Sequence, residues 1–531
     1  MLICLALLLS ACGGGETSSA ASGAASGSTA TSGGEAASGS TASTGIAVKE
    51  NPDQFTAAFN SEPGRLDPQS NTDLIGGMIE KQVYEALFDK DAETGEFIPV
   101  LATEWEWVDD THLSVTLREG VKFHNGEDFT ADDVAYTISR FPDGPATGSL
   151  FEPFDPEGTE IVDDYHIIIA FKRPFAPALN YLSSSSIRAF IVPHDYMEEN
   201  GEDCLNQNPV GTGPYQFVDW VVSSHVDLTR FDGYWGDAPA IKDVRIRFIP
   251  ESTARTIALE TGEIDLAAAL DDSDIESILA GEKEHILGYL APGLQVNYLA
   301  FNYNFEPFQD IRVRQAIAYG VNWEDVAIAA GETTYVLADS CLTPPSDYYV
   351  STGTYAYDPD RAKELLAEAG YADGFEIHCI EQESPAMIRS AEAMQAYLAD
   401  LGITLTIEPA DAATWQDALN KGTCDISIAS MTAATADPAH ALNNLRNTST
   451  VVVSRVDDER FNELMQAGTD AMDETERTEV YAELQQYVYD NVLEIPVHHR
   501  QQAYGVWDYV DGFYPEPHQL ISIKELSFKT A

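Results

Sequence analysis

Apolar and polar positions along residues 358–431 keep two alternating rhythms. Asp358 stands as a helix N-cap with Pro359 behind it. Ala362, Leu365, Leu366 and Ala369 then recur at helical spacing, and Gly370 follows as a stop. From Phe375 and Ile377 the period drops to two, which predicts a strand. Residues 388–398 return to a helical stripe, and Ile403, Leu405 and Ile407 alternate again. A short helix around Trp415 to Leu419, stopped by Gly422, and a strand over 425–429 complete a third step. Strands alternating with helices predict a parallel sheet and an α/β fold class. Ligands in such sheets bind beyond the carboxyl ends of strands, here in loops 408–415 and 430–440. Those loops carry Trp415, Thr432, Thr435 and Asp437. Trp415 is either a stacking platform or core, and Asp437-Pro438 either orients a ligand or makes a turn.

Elsewhere the texture is mixed. Leu113, Val115 and Leu117 alternate as a strand, and Thr130 with Asp133 forms a capping box ahead of Val134 and Ile138. Helical stripes recur at 461–465 and 480–488 before a short extended segment, Ile495-Pro496-Val497. The sequence after that segment reads as irregular and aromatic-rich.

The start of the chain follows a different rule. Residues 1–11 form an apolar run too short to span a bilayer but suited to the core of a signal peptide. Leu9-Ser10-Ala11-Cys12 is similar to the bacterial lipobox, which makes Cys12 the lipidation site expected after cleavage. No Lys or Arg precedes Cys12, a departure that a start codon called too late would explain. Residues 13–45 hold only Gly, Ser, Thr and Ala apart from Glu16 and Glu35, so they read as a disordered tether with a reach on the order of 30 Å. No second apolar segment of membrane length follows.

Composition then narrows the functions. A chain of 531 residues with 44% hydrophobic content builds more than one core, so two or three subdomains are expected. The 87 acidic against 29 basic residues give a formal charge of −58, which repels phosphate backbones and excludes nucleic acid as a partner. Catalytic signatures are missing: no nucleophile elbow, no zinc-protease helix motif, no phosphate-binding P-loop and no calcium loop. Asp271-Asp272-Ser273-Asp274 reads as a solvated helix start. His498 and His499 are strand neighbours that point to opposite faces, which makes joint metal ligation awkward. Gly211-Thr212-Gly213-Pro214 reads as a turn into a strand. Cys204, Cys341, Cys379 and Cys424 form no C-x-x-C pair, and free thiols or any of three pairings remain open. No catalytic residue, metal or cofactor is expected.

Residues 84–140, with 209–215 (PVGTGPY), 299–315 (LAFNYNFEPFQDIRVRQ) and 357–371 (YDPDRAKELLAEAGY), resemble the recurring blocks of the family 5 extracellular solute-binding proteins. That family serves ABC importers of peptides, nickel complexes and related solutes. The resemblance implies a two-lobe type II periplasmic-binding-protein fold with a third subdomain inserted in lobe I. Two chain crossings, near 296–302 and 497–503, would form the hinge. Lobe I would be 46–297 plus 500–531, with the insertion at about 80–215, and lobe II would be 298–499. The implied function is a monomeric, lipid-anchored lipoprotein outside the cytoplasm that captures a small, peptide-like solute for ABC permease subunits in the membrane. Nickel chelates, sugars and opine-like solutes stay open, and an exported hydrolase is the distant alternative.

Contacts implied by position are Asn60 and Glu62 before the Leu66-Asp67-Pro68 turn, Asn302 and Tyr303 at the first crossing, and Tyr504 after the second. In peptide-binding members an Asp four positions before the loop proline pairs with the ligand's amino terminus. Ala434 stands there in this chain. Either Asp437 substitutes in a shifted register or free amino termini are not recognised in the usual way.

Overall fold

The computed structural model describes residues 49, 51–91, 94–148, 150–331, 333–443, 445, 454 and 456–529. The proposed leader 1–12 with Cys12, and the tether 13–45, lie outside the described residues. Among those described, no helix is long and apolar enough to cross a membrane.

The rhythmic segment folds as its pattern predicts. Asp358 caps the helix Pro359–Glu368 by accepting from Arg361 N–H, and Ala362, Leu365 and Leu366 form its buried face. Burying each of the two leucines contributes about 1.5–3 kcal/mol. Glu376–Gln382, the helix Pro385–Asp400, Thr404–Ala410, the helix Ala412–Lys421 and Ile426–Thr432 follow in order. Gly422 ends the third helix at φ +68°, a left-handed conformation that suits glycine. The three strands run parallel, with Glu376–Gln382 in the middle.

That parallel unit is one end of a single 11-stranded sheet. Ile426–Thr432 pairs antiparallel with the long strand Ile286–Phe301, which pairs along its length with Ile495–Trp507. Beyond those two strands lie Leu266–Ala267, Gln54–Phe59, Asp243–Phe248, His225–Arg230 and Tyr215–Val221. The two long strands therefore join the halves of the molecule. Their register shifts twice, between the pair Pro292/Gln501 and the pair Val296/His499, and again between Asn297/His498 and Tyr298/Pro496. The Ile495-Pro496-Val497 segment is the start of a 13-residue strand rather than a short element. Its apolar pattern is broken by His498, His499, Arg500, Gln501 and Gln502, so the run gives neither rhythm although its backbone stays extended.

A separate four-stranded antiparallel sheet, ordered Ala102–Asp109, His112–Leu117, His166–Phe171, Phe154–Asp163, carries the helix Ala131–Ser139 with its Thr130/Asp133 capping box. Its buried residues belong to the same apolar cluster as Phe55, Val244 and Val506, so it shares a core with the strands at that end of the large sheet. A second apolar cluster fills the parallel end, around Leu299, Phe301, Ile377, Met394 and Ile426. Gly211 approaches the backbone of Val83 so closely that a Cβ there would meet the Val83 carbonyl oxygen at 2.2 Å, which fixes the role of the Gly211-Thr212-Gly213 turn. The four body cysteines are free thiols and buried.

Candidate functional site

A cavity of about 450 Å³ opens where the two halves meet. Both halves contribute through strand ends, as the carboxyl-end rule requires. Gln54–Phe59 delivers Phe59, Asn60 and Ser61, while Ile426–Thr432 delivers Thr432, Ala433 and Ala434. The long strands pass beneath it with Gln295 and with Arg500 to Tyr504, next to the first of their register shifts. Ile187, Arg188, the start of the helix Leu74–Val83 and the segment His518 to Leu520 complete the wall.

The charges on this wall are unequal in their completeness. Asp73 is satisfied as an N-cap, its carboxylate accepting from Gly76 N–H at 2.7 Å and Gly64 N–H at 2.8 Å. Among the described residues the buried Nε of Arg188 has no hydrogen-bond partner, and burial pulls its pKa below the ordinary arginine value. Arg500 lies 5.9 Å from the Tyr335 ring, and among the described residues its guanidinium has no carboxylate within 4 Å. His518 is pushed down to about 4, by burial first and then by Lys81 and Lys90. It is therefore neutral at neutral pH, and among the described residues its buried Nε2 has no partner.

Behind the 433–440 loop the electrostatics are closed. Asp437 is fully buried and accepts from Arg477 Nη2 at 2.6 Å and from Ala439 N–H at 2.9 Å. Arg477 sits 5.1 Å and 5.3 Å from the Tyr348 and Tyr481 rings and donates to the Gly468 carbonyl. Burial alone would lower the Arg477 pKa, but Asp437 and the two tyrosines raise it above the ordinary value. Ala434 N–H donates to His440 Nδ1 at 2.9 Å, and burial, then Arg188, hold His440 down at about 3. A neutral His440 is the only form that can accept this bond.

Of the nine contacts expected from sequence, the cavity gathers Asn60, Thr432 and Tyr504, together with Ala434. Tyr504 donates its hydroxyl to Gln502 within the wall. The other six lie elsewhere. Glu62 accepts from Ser223 N–H at 2.7 Å and ties its loop to a hairpin. Asn302 donates to the carbonyls of Gly422 and Cys424, and Tyr303 to that of Leu493. Trp415 donates to Ser427 Oγ at 3.0 Å and packs on the apolar cluster of Ala418 and Leu419. Its loop follows Thr404–Ala410, the edge strand of the sheet, which strand order keeps away from the crossing. Thr435 accepts from Asp437 N–H, and both are fully buried.

Arg188, Arg500, His518 and Gln295 line the cavity without having been anticipated. Arg500 was within reach, two residues beyond His498 on an extended run. Arg188 follows a Ser-rich stretch, 183–186, with no rhythm to mark it. His498 and His499 do face apart: His498 Nδ1 meets Asn297 Nδ2 at 2.9 Å, while His499 Nε2 lies 3.3 Å from the Ser340 carbonyl. Among the described residues no group of three or more His, Cys, Asp or Glu gathers as a metal site.

Residues 96–451 match the family model described as "Bacterial extracellular solute-binding proteins, family 5 Middle". The chain belongs to this family. Members are extracytoplasmic binding proteins of transport systems and not enzymes, so the hydrolase alternative falls. Heme-binding protein A of Haemophilus influenzae is 29% identical over 468 residues, 82% of this chain and 85% of that protein. The dipeptide-binding protein of Escherichia coli K12 is 28% identical over 468 residues, 82% and 87% of the two chains. The solved structure of HbpA2 from Haemophilus parasuis superposes with a TM-score of 0.80 at 24% identity, covering 90% of this chain and 100% of that one. The two-lobe type II fold of this family 5 protein follows from such superpositions.

Proposed function

We propose that this family 5 protein captures a small, peptide-like solute in the 450 Å³ cavity and delivers it to the permease subunits of an ABC importer. The observation that carries the reading is that strand ends from both halves, Asn60 and Thr432 among them, converge over the two crossing strands. Closing the halves about the register shift at Pro292/Val296 would bury a solute on all sides. The lobes in this reading are 46–297 with 500–531, and 298–499, with an insertion at about 80–215 in the first. Asn60, Thr432 and Tyr504 remain the contacts of choice from the sequence-derived set. The protein acts as a monomer held to the membrane by lipid on Cys12. The name of the Haemophilus influenzae relative favours a second reading, a non-peptide solute in the same cavity.

Native mass spectrometry of the purified protein should reveal a co-purified small molecule, and adding it back to stripped protein should shrink the radius of gyration in small-angle scattering. An unchanged radius at saturation overturns the closure reading. Metabolic labelling with a fatty acid should tag the wild-type chain and not Cys12→Ser; label on the variant overturns the anchor.

A further inference from the structure

Resting on that reading, we infer that the cavity selects a solute bearing two carboxylates, a peptide-like diacid, and uses Arg188 and Arg500 as its two receptors. The chain as a whole carries a formal charge of −58, yet two guanidiniums that have no carboxylate partner among the described residues line this one cavity. A surplus of 58 acids elsewhere could have paired them, and Arg477, a short way behind the same loop, has such a pair. Arg188 and Arg500 are both half-buried; a charge partly withdrawn from water without a counterion is costly, and an arriving carboxylate removes that cost with bidentate geometry.

The nearest compensation inside the fold is weak. Glu80 is fully buried, its carboxyl is driven toward the protonated form by burial, and although it feels the field of Arg188 it forms no salt bridge with it. Asp73, the acidic group on the wall, already accepts two backbone N–H bonds. His518 Nε2 adds a neutral, unpartnered group suited to a third hydrogen bond. Phe59, Leu74, Ile187 and Leu270 supply apolar wall, which favours an organic acid over inorganic phosphate. Ala434 leaves the usual position of an amino-terminal carboxylate empty of charge, in keeping with a site built for anions.

Calorimetry on stripped full chain decides this with three probes: N-acetyl-alanyl-glutamate, its neutral diamide, and inorganic phosphate. The diacid should bind at least about a hundredfold more tightly than the diamide, and phosphate should not compete with it. Arg188→Gln and Arg500→Gln should each weaken the diacid about ten- to a hundredfold, with Arg188→Lys recovering part of the loss. Thermal melts of each variant establish that it is folded. Equal affinity for the diamide, preference for phosphate, or unchanged affinity in both folded Gln variants overturns the proposal. If a co-purified neutral or basic solute closes the protein in scattering, the import reading stands and the diacid fails. If no co-purified solute and no probe closes the protein, both readings fail together.

Discussion

Arg477 and Arg188 both act on the 433–440 loop, Arg477 through Asp437 and Arg188 through its field at His440, and they teach opposite lessons. Arg477 has everything a buried cation requires: the Asp437 carboxylate at 2.6 Å, two tyrosine faces and the Gly468 carbonyl. Arg188 has a buried Nε with no partner, and its Glu80 neighbour is too deeply buried to hold charge readily. A charge whose shell is complete belongs to the fold. A charge whose shell is incomplete, at the wall of a cavity, marks where a ligand finishes the shell.

The sharpest way to break the comparison is to strip the complete site. Asp437→Ala leaves Arg477 buried and unpaired and should cost about 3–5 kcal/mol in chemical denaturation. The double change Asp437→Leu with Arg477→Met should recover most of that loss, since a well-packed apolar pair replaces an ion pair at little cost. If Asp437→Ala is neutral for stability yet abolishes solute binding, Asp437 is a ligand contact after all.

The next effect is in pH dependence, with two buried groups of opposite sign. Glu381 is held up at about 8, by burial first, against the N–H of Ile428 and the Cys379 and Ser427 donors. Its folded pKa exceeds the unfolded one, so its contribution is full below about 4.5 and is lost as pH rises to about 8. His440 is held down at about 3, so its contribution is full above about 6.5 and is lost as pH falls toward 3. Each limb spans up to about 5 kcal/mol. Glu381→Gln should flatten the alkaline limb of a stability-versus-pH curve, and His440→Asn the acid limb. A Glu381→Gln curve that still falls between pH 4.5 and 8 with the wild-type slope contradicts the assignment.

How much of this was legible beforehand depends on which physical signal carried it. The helix capped by Asp358, the capping box at Thr130 and the parallel strands follow from local rhythm and local hydrogen bonding, which sequence displays. Strand order is a long-range property. Trp415 follows one strand of the parallel unit and Thr432 ends another, but only the strand beside the crossing feeds the cavity. Partnering is longer-range still: nothing local separates Asp437, paired with Arg477 40 residues on, from a free loop carboxylate. Arg188 became visible only once the fold had shown which arginines lack partners, whereas Arg500 stands two residues beyond the His498-His499 pair that the sequence singles out.

A smaller effect comes from adding the missing charge. Ala434→Asp places a carboxylate at the cavity wall, on a loop whose His440 feels the field of Arg188. It should compete with a diacid for the guanidiniums and weaken N-acetyl-alanyl-glutamate about tenfold or more, while strengthening short peptides with free amino termini. Calorimetry with both probes reads the exchange. A gain in affinity for the diacid contradicts the anionic reading.

The smallest expected effect is the most pointed, because it concerns stability at the site assigned to ligand. Arg188 is held in a half-buried place where its charged form is disfavoured, so its guanidinium contributes little or nothing to the unliganded fold. Arg188→Leu should therefore change the unliganded stability by no more than about 1 kcal/mol, and in the stabilising direction if it changes at all. The same exchange at Arg477 would strand Asp437 and cost several times as much. Adding ligand separates the two further: a bound solute stabilises in proportion to its occupancy, so wild type should gain several degrees in a melt with the diacid while Arg188→Leu should not. If Arg188→Leu instead unfolds the unliganded protein as readily as Asp437→Ala does, Arg188 is part of the fold's own charge network and the contrast between the two arginines dissolves.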